Sequence, residues 1–228
     1  MSRNARRMAR AHKLVGLVVG LQLLFWTASG LFFTLFPIEQ IRGEHLRKEP
    51  ASMDAADLAG IVPPPLSGPV EQLELREILG QPVWEAASES GSQLFDARSG
   101  SLLPAPDADA VRAIAEAAWA GDGAVTGVEL VERPPREAFS GKPLWRVDFD
   151  GADRATFWVD PDTREVKAVR TGKWRIFDVL WRFHIMDVTG DDRFDSWWLK
   201  LFAFLGLTTV LFGIGLLVHR AMAGRLLR

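Results

Sequence analysis

The chain has 228 residues, 48% of them hydrophobic and 25% charged, with a formal net charge of −2 and no cysteine. That length suits one or two compact units, and the lack of cysteine excludes disulfides, thiolate chemistry, iron–sulfur clusters and cysteine-type zinc sites, so any metal must use His and carboxylates. The near-neutral total hides a segregation: all 29 acidic residues fall between Glu39 and Asp195 against 18 Lys and Arg there, while residues 1–13 and 219–228 hold eight basic residues and no acid.

In chain order, the basic tail of residues 1–13 (Arg3, Arg6, Arg7, Arg10, Lys13) leads into LVGLVVGLQLLFWTASGLFFTLF over 14–36, which has no ionisable side chain. As a helix this run measures roughly 34 Å, enough to cross a bilayer. It is longer than the apolar core of a cleaved signal, and apolar residues continue past the small-residue stretch TASG, so it reads as an uncleaved anchor. Gly16 and Gly20 form a small-xxx-small pair suited either to packing of the two spans or to a homodimer seam. Gln22 is placed for a hydrogen bond between helices or for approach to a cofactor, and Trp26 for an interfacial anchor.

Between the apolar runs, VPPPLSGP (62–69), PAP (104–106) and RPP (133–135) punctuate the chain into units. In residues 70–103, Leu75, Ile78 and Leu79 predict a helix ended by Gly80, followed by strands around PVWEA and QLFDA. In residues 109–169, Val111, Ile114, Ala115 and Ala118 predict a helix capped by Asp107 or Asp109. Four strands follow, at AVTGVELVE, KPLWRVDFD, ATFWVDPDT and EVKAV. Pro82 with Trp84 echoes Pro143 with Trp145, which points to an internal duplication whose first copy, over 37–106, is abbreviated and whose second spans 107–172.

Residues 173–196 predict a juxtamembrane helix and an acidic turn. Ile176, Phe177, Leu180 and Trp181 put His184 on an apolar stripe, as expected of a helix lying on a bilayer surface. DVTGDDRFD, with Asp187, Asp191, Asp192 and Asp195, lacks the spacing of a calcium loop and predicts a solvated turn that caps the next helix. The run WWLKLFAFLGLTTVLFGIGLLV over 197–218 predicts a second span, opened by Trp197 and Trp198, before the basic tail of 219–228. The positive-inside rule places both termini in the cytoplasm and the middle segment outside it. The basic tails are topology signals, so the partner expected is the lipid bilayer and not a nucleic acid.

The stretch LWRVDFDGADRATFWVDPDTREVKAV resembles the PepSY domain, in which a helix packs on a small antiparallel sheet. RAHKLVGLVVGLQLLFWTASGLFF, IEQIRGEHL and WRIFDVLWRFHIMDVTGDDRFD are similar to the PepSY-associated transmembrane proteins of bacterial inner membranes, FHIMD being the most specific element. Arg164 stands at a turn where that family usually has glycine. The resemblance implies an α+β fold, one or two PepSY-like modules held in the periplasm between two transmembrane helices.

The four histidines fall in pairs: His12 and His219 flank the spans on the cytoplasmic side, and His45 and His184 lie towards the outer face. One histidine from each side of a helical hairpin is what bis-histidine ligation of a b-type haem requires. The resemblance extends to haem-bearing reductases of ferric siderophores, which implies an electron-transfer or accessory subunit, paired with a second copy or a membrane reductase partner. The plainer reading of His12 and His219 is that of polar residues flanking spans, that of His45 a solvated side chain, and that of His184 a helix cap. Glu44, His45, His184 and Asp187 form a candidate set for zinc, iron or copper. No phosphate loop, H-E-x-x-H or serine elbow is present, so any enzymatic role is that of a haem-dependent reductase component. The other class of function is a non-catalytic periplasmic interaction module that binds or restrains a peptidase, with a binding face around Trp145 and Trp158.

Overall fold

A computed structural model describes residues 3–49, 52–54, 56–187, 190, 195–222 and 224, with the side chains of residues 3–12, 216, 217, 219 and 220 outside that description. The chain divides into two compact units, one of Met1–Pro37 with Ile176–Arg228 and the other of Ile38–Arg175.

In the first unit, α1 runs Arg3–Leu35 and α5 runs Trp197–Met222. Both are long and apolar enough to cross a membrane, over Lys13–Leu35 and Trp197–Gly215. Their outward faces carry large apolar side chains such as Leu17, Leu24, Phe204 and Phe212, the distribution expected where the surrounding solvent is lipid. The two helices pack together, but a Cβ added at Gly16 or Gly20 would meet nothing within 4 Å. Among the described residues no side chain of the other span is seated on this glycine pair. Gln22 Nε2 is buried with no hydrogen-bond partner among the described residues.

Helix α4, Gly172–His184, starts in the second unit and ends in the first. Its first turn is capped by Thr171, whose Oγ1 accepts from Trp174 N. From Ile176 onward it packs lengthwise and antiparallel on α1: Phe177 against Phe33, Trp181 and His184 also against Phe33, and Phe183 against Phe25. Of the predicted apolar stripe, Phe177, Trp181 and His184 meet α1, while Ile176 stays exposed. α4 ends in a Schellman arrangement, with Met186 N bonded to Phe183 O, Asp187 N to Arg182 O, and Met186 at φ 54°. The acidic turn falls largely outside the described residues, Asp191 and Asp192 included; within it Asp187 is buried and accepts from Gly190 N.

The second unit opens with α2 (Ile38–Arg42) and a 3₁₀ turn (Glu44–Leu46). Gly43 between them has φ 71° and lies so close to the sheet that a Cβ would stand 2.6 Å from Val169 Cγ1. A three-stranded antiparallel sheet follows in the order β1 (Gln72–Ile78), β2 (Gln81–Ser88), β3 (Gly91–Asp96). The helix predicted over the 70s is thus a strand. Leu79 and Gly80 both take positive φ, 53° and 75°, and make the two-residue hairpin turn that commits QLELREI to pair with QPVWEAAS.

The rest of this unit is α3 (Ala108–Ala118) and a sheet in the order β4 (Val125–Val131), β5 (Leu144–Phe149), β6 (Thr156–Val159), β7 (Val166–Arg170), all antiparallel. Asp107 caps α3 through its side chain, which accepts from Ala110 N at 2.8 Å. Val111, Ile114 and Ala115 of α3 meet Val147, Phe149, Phe157, Val159 and Val169 of the sheet, with Leu46 closing the edge. Trp119 stacks on Phe149 at 4.0 Å between ring centroids. Burial of side chains of this size contributes about 1.5–3 kcal/mol each and makes this cluster the principal core. The turn before β7 sets Arg164 at φ 57°, where its guanidinium donates to Pro104 O, so an arginine holds the position the resembling family gives to glycine.

Candidate functional site

His184 is the histidine the structure builds into a site. The last turn of a helix leaves its carbonyls without intrahelical partners, and here the indole Nε1 of Trp26 donates to His184 O at 2.7 Å. One turn further along α1, Ser29 Oγ lies 2.7 Å from His184 Nδ1. Trp26 and Ser29 are three residues apart and share one face of α1, so a single helix face holds both the backbone and the ring of His184.

The serine hydroxyl has one proton, and Ser29 Oγ lies 2.7 Å from Phe25 O, the ordinary back-bond of a serine in a helix. With the proton held there, Nδ1–H donates to Ser29 Oγ in the tautomer that leaves the lone pair on Nε2. The ring is enclosed by Phe33 at 5.4 Å, Trp26 at 6.3 Å and the parallel Trp181 at 6.4 Å between centroids.

The other sequence candidates belong to other elements. His45 sits exposed on the Glu44–Leu46 turn of the second unit beside exposed Glu44. His184 and Asp187 belong to the first unit. The backbones of His12 and His219 are helical, in α1 and α5, and their side chains lie outside the described residues. Among the described residues no three His, Asp or Glu side chains come together as a metal site. Sequence reasoning missed Ser29, one of three hydroxyl residues in the first apolar run with Thr27 and Thr34, and assigned Trp26 to an interfacial belt although its indole turns inward to α4.

A second candidate lies on the face of the β4–β7 sheet opposite α3. Trp145 and Trp158, expected on one binding face, point to opposite sides: Trp145 packs with the α3 core, and Trp158 with Ala138 and Leu144 on the other side. On that other side a cleft of about 430 Å³ is lined by Arg146, Asp148, Arg154, Thr156, Trp158 and Arg175, among others. Its floor is a chain of polar contacts. Arg146 pairs with Asp148 at 3.0 Å, Thr156 Oγ1 donates to Asp148, and Arg175 donates to Thr156 Oγ1 and to Glu137.

The family model described as the PepSY-associated TM region matches residues 9–227 of the chain. No curated protein and no solved structure matches it.

Proposed function

The chain belongs to the family of PepSY-associated transmembrane regions, and from that premise we propose that it is an electron-transfer or accessory subunit for reduction of metal ions or ferric siderophores. In this reading it resides in a bacterial inner membrane, with both termini cytoplasmic and the central α+β segment in the periplasm. The supporting observation is the setting of His184: its Nδ1 lies 2.7 Å from Ser29 Oγ, which can accept an Nδ1–H, and among the described residues no hydrogen bond engages its Nε2. This is the form in which a histidine ligates a metal, since the distal N–H of a ligating imidazole is ordinarily fixed by an acceptor.

Ligation of a b-type haem would use such an imidazole donor. His184 would hold the iron of one haem, and His12 and His219 would serve a second haem on the cytoplasmic side. Bound there, haem supplies a one-electron carrier. Ser29 fixes the orientation and basicity of the imidazole, Trp26 fixes the backbone that carries it, and Phe33 and Trp181 exclude water from its flanks. A second copy or a membrane reductase would complete the path. The test is a visible spectrum of the full chain purified after expression with ample haem: a Soret band that moves on reduction supports the proposal, and colourless protein refutes it.

The sheet-face cleft favours a second reading, a non-catalytic module that binds or restrains a peptidase through Arg146, Asp148 and Arg154. Arg146→Glu in the full chain then abolishes co-purification of a peptidase partner, while an unchanged yield of that partner rules the cleft out.

A further inference from the structure

We propose that α4 beyond its first turn is immersed among the acyl chains of the bilayer, as a third intramembrane helix that does not cross. Its exposed face carries Ile176, Val179 and Phe183, with relative exposures of 55%, 51% and 60%. These positions recur at the spacing of one helix face. Asp178 and Arg182, the charged residues of the same stretch, are half-buried. A helix bathed in water shows the reverse distribution, polar side chains outward and apolar ones inward. Since Phe177, Trp181 and His184 already occupy the contact with α1, the outward apolar stripe is a second face, and only an apolar solvent suits it.

The occupant follows from continuity with the span. The ring of Phe183 lies 6.2 Å from that of Phe25 and within 15° of parallel, and Phe25 is itself exposed on the candidate span Lys13–Leu35. Phe25 comes ten residues before the end of that span, about 15 Å along the helix, or about half of a typical hydrocarbon thickness. Lipid that coats Phe25 therefore coats Phe183, and the stripe from Ile176 to Phe183 enters the acyl layer progressively. The backbone tolerates this depth because α4 satisfies its own hydrogen bonds and its terminal carbonyl at His184 is taken by Trp26. This inference does not rest on haem.

The chain has no cysteine, so single-cysteine variants I176C, V179C and F183C of the full chain can be spin-labelled in phosphatidylcholine vesicles, with K173C as the aqueous control. Collisions with oxygen should exceed those with a water-soluble nickel chelate at all three positions, the excess rising from 176 to 183 and reversing at 173. Nickel-chelate collisions prevailing at all three positions would overturn the proposal. So would protection from both reagents, the mark of a protein partner or a second copy covering the stripe. Three separate positions keep the test decisive if one variant fails to fold.

Discussion

His184 Nδ1 and Ser29 Oγ stand 2.7 Å apart across 155 residues of sequence, and with the indole of Trp26 on the carbonyl of His184 they fasten the end of α4 to a transmembrane helix. Removing the hydroxyl leaves a partly buried imidazole N–H without an acceptor. Ser29→Ala should therefore lower stability by about 1–3 kcal/mol, measured by thermal unfolding in detergent. Ser29→Thr, which restores a hydroxyl, should recover part of the loss. An unchanged midpoint in Ser29→Ala would remove this bond from the account.

Met186 takes a left-handed conformation at φ 54° to close the Schellman turn, a cost glycine does not bear. Met186→Gly should stabilise the chain by up to about 1 kcal/mol, the relief of left-handed strain less the extra entropy of glycine in the unfolded chain. Denaturant titration reads this directly.

Gly43→Ala should act in the opposite direction. The new Cβ would lie 2.6 Å from Val169 Cγ1, and the residue would keep φ 71°. A loss of about 1–3 kcal/mol is expected. A double-mutant cycle with Val169→Ala should recover the clash but leave the strain of positive φ, so partial rescue is the predicted outcome and full additivity the contrary one.

The two spans, helix α3 with its Asp107 cap, and strands β2 to β7 are legible because each shows one dominant periodicity or turn signal. β1 is not: Leu75, Ile78 and Leu79 fit a helical face, and only the positive φ of Leu79, a leucine where turn chemistry favours Asn or Asp, converts the segment into a hairpin arm. The stripe leading to His184 is visible in the sequence, but an apolar stripe looks the same whether it meets lipid, water's edge or another helix. Nothing local marks Ser29 as its partner, because the pairing depends on α4 running antiparallel to α1. The split of Trp145 from Trp158 likewise comes from strand register, with Arg146 opposite Trp158 and Trp145 opposite Val159, which puts the two indoles on opposite faces.

The central claim is that His184 offers its Nε2 lone pair as a ligand, and the most direct measurement is the reduced-minus-oxidised visible spectrum of the purified full chain beside that of His184→Ala. The account predicts a haem signal in the parent chain that is lost or shifted in the variant, with Ser29→Ala retaining haem at an altered reduction potential. Colourless parent protein, or a His184→Ala spectrum identical to that of the parent, would contradict it.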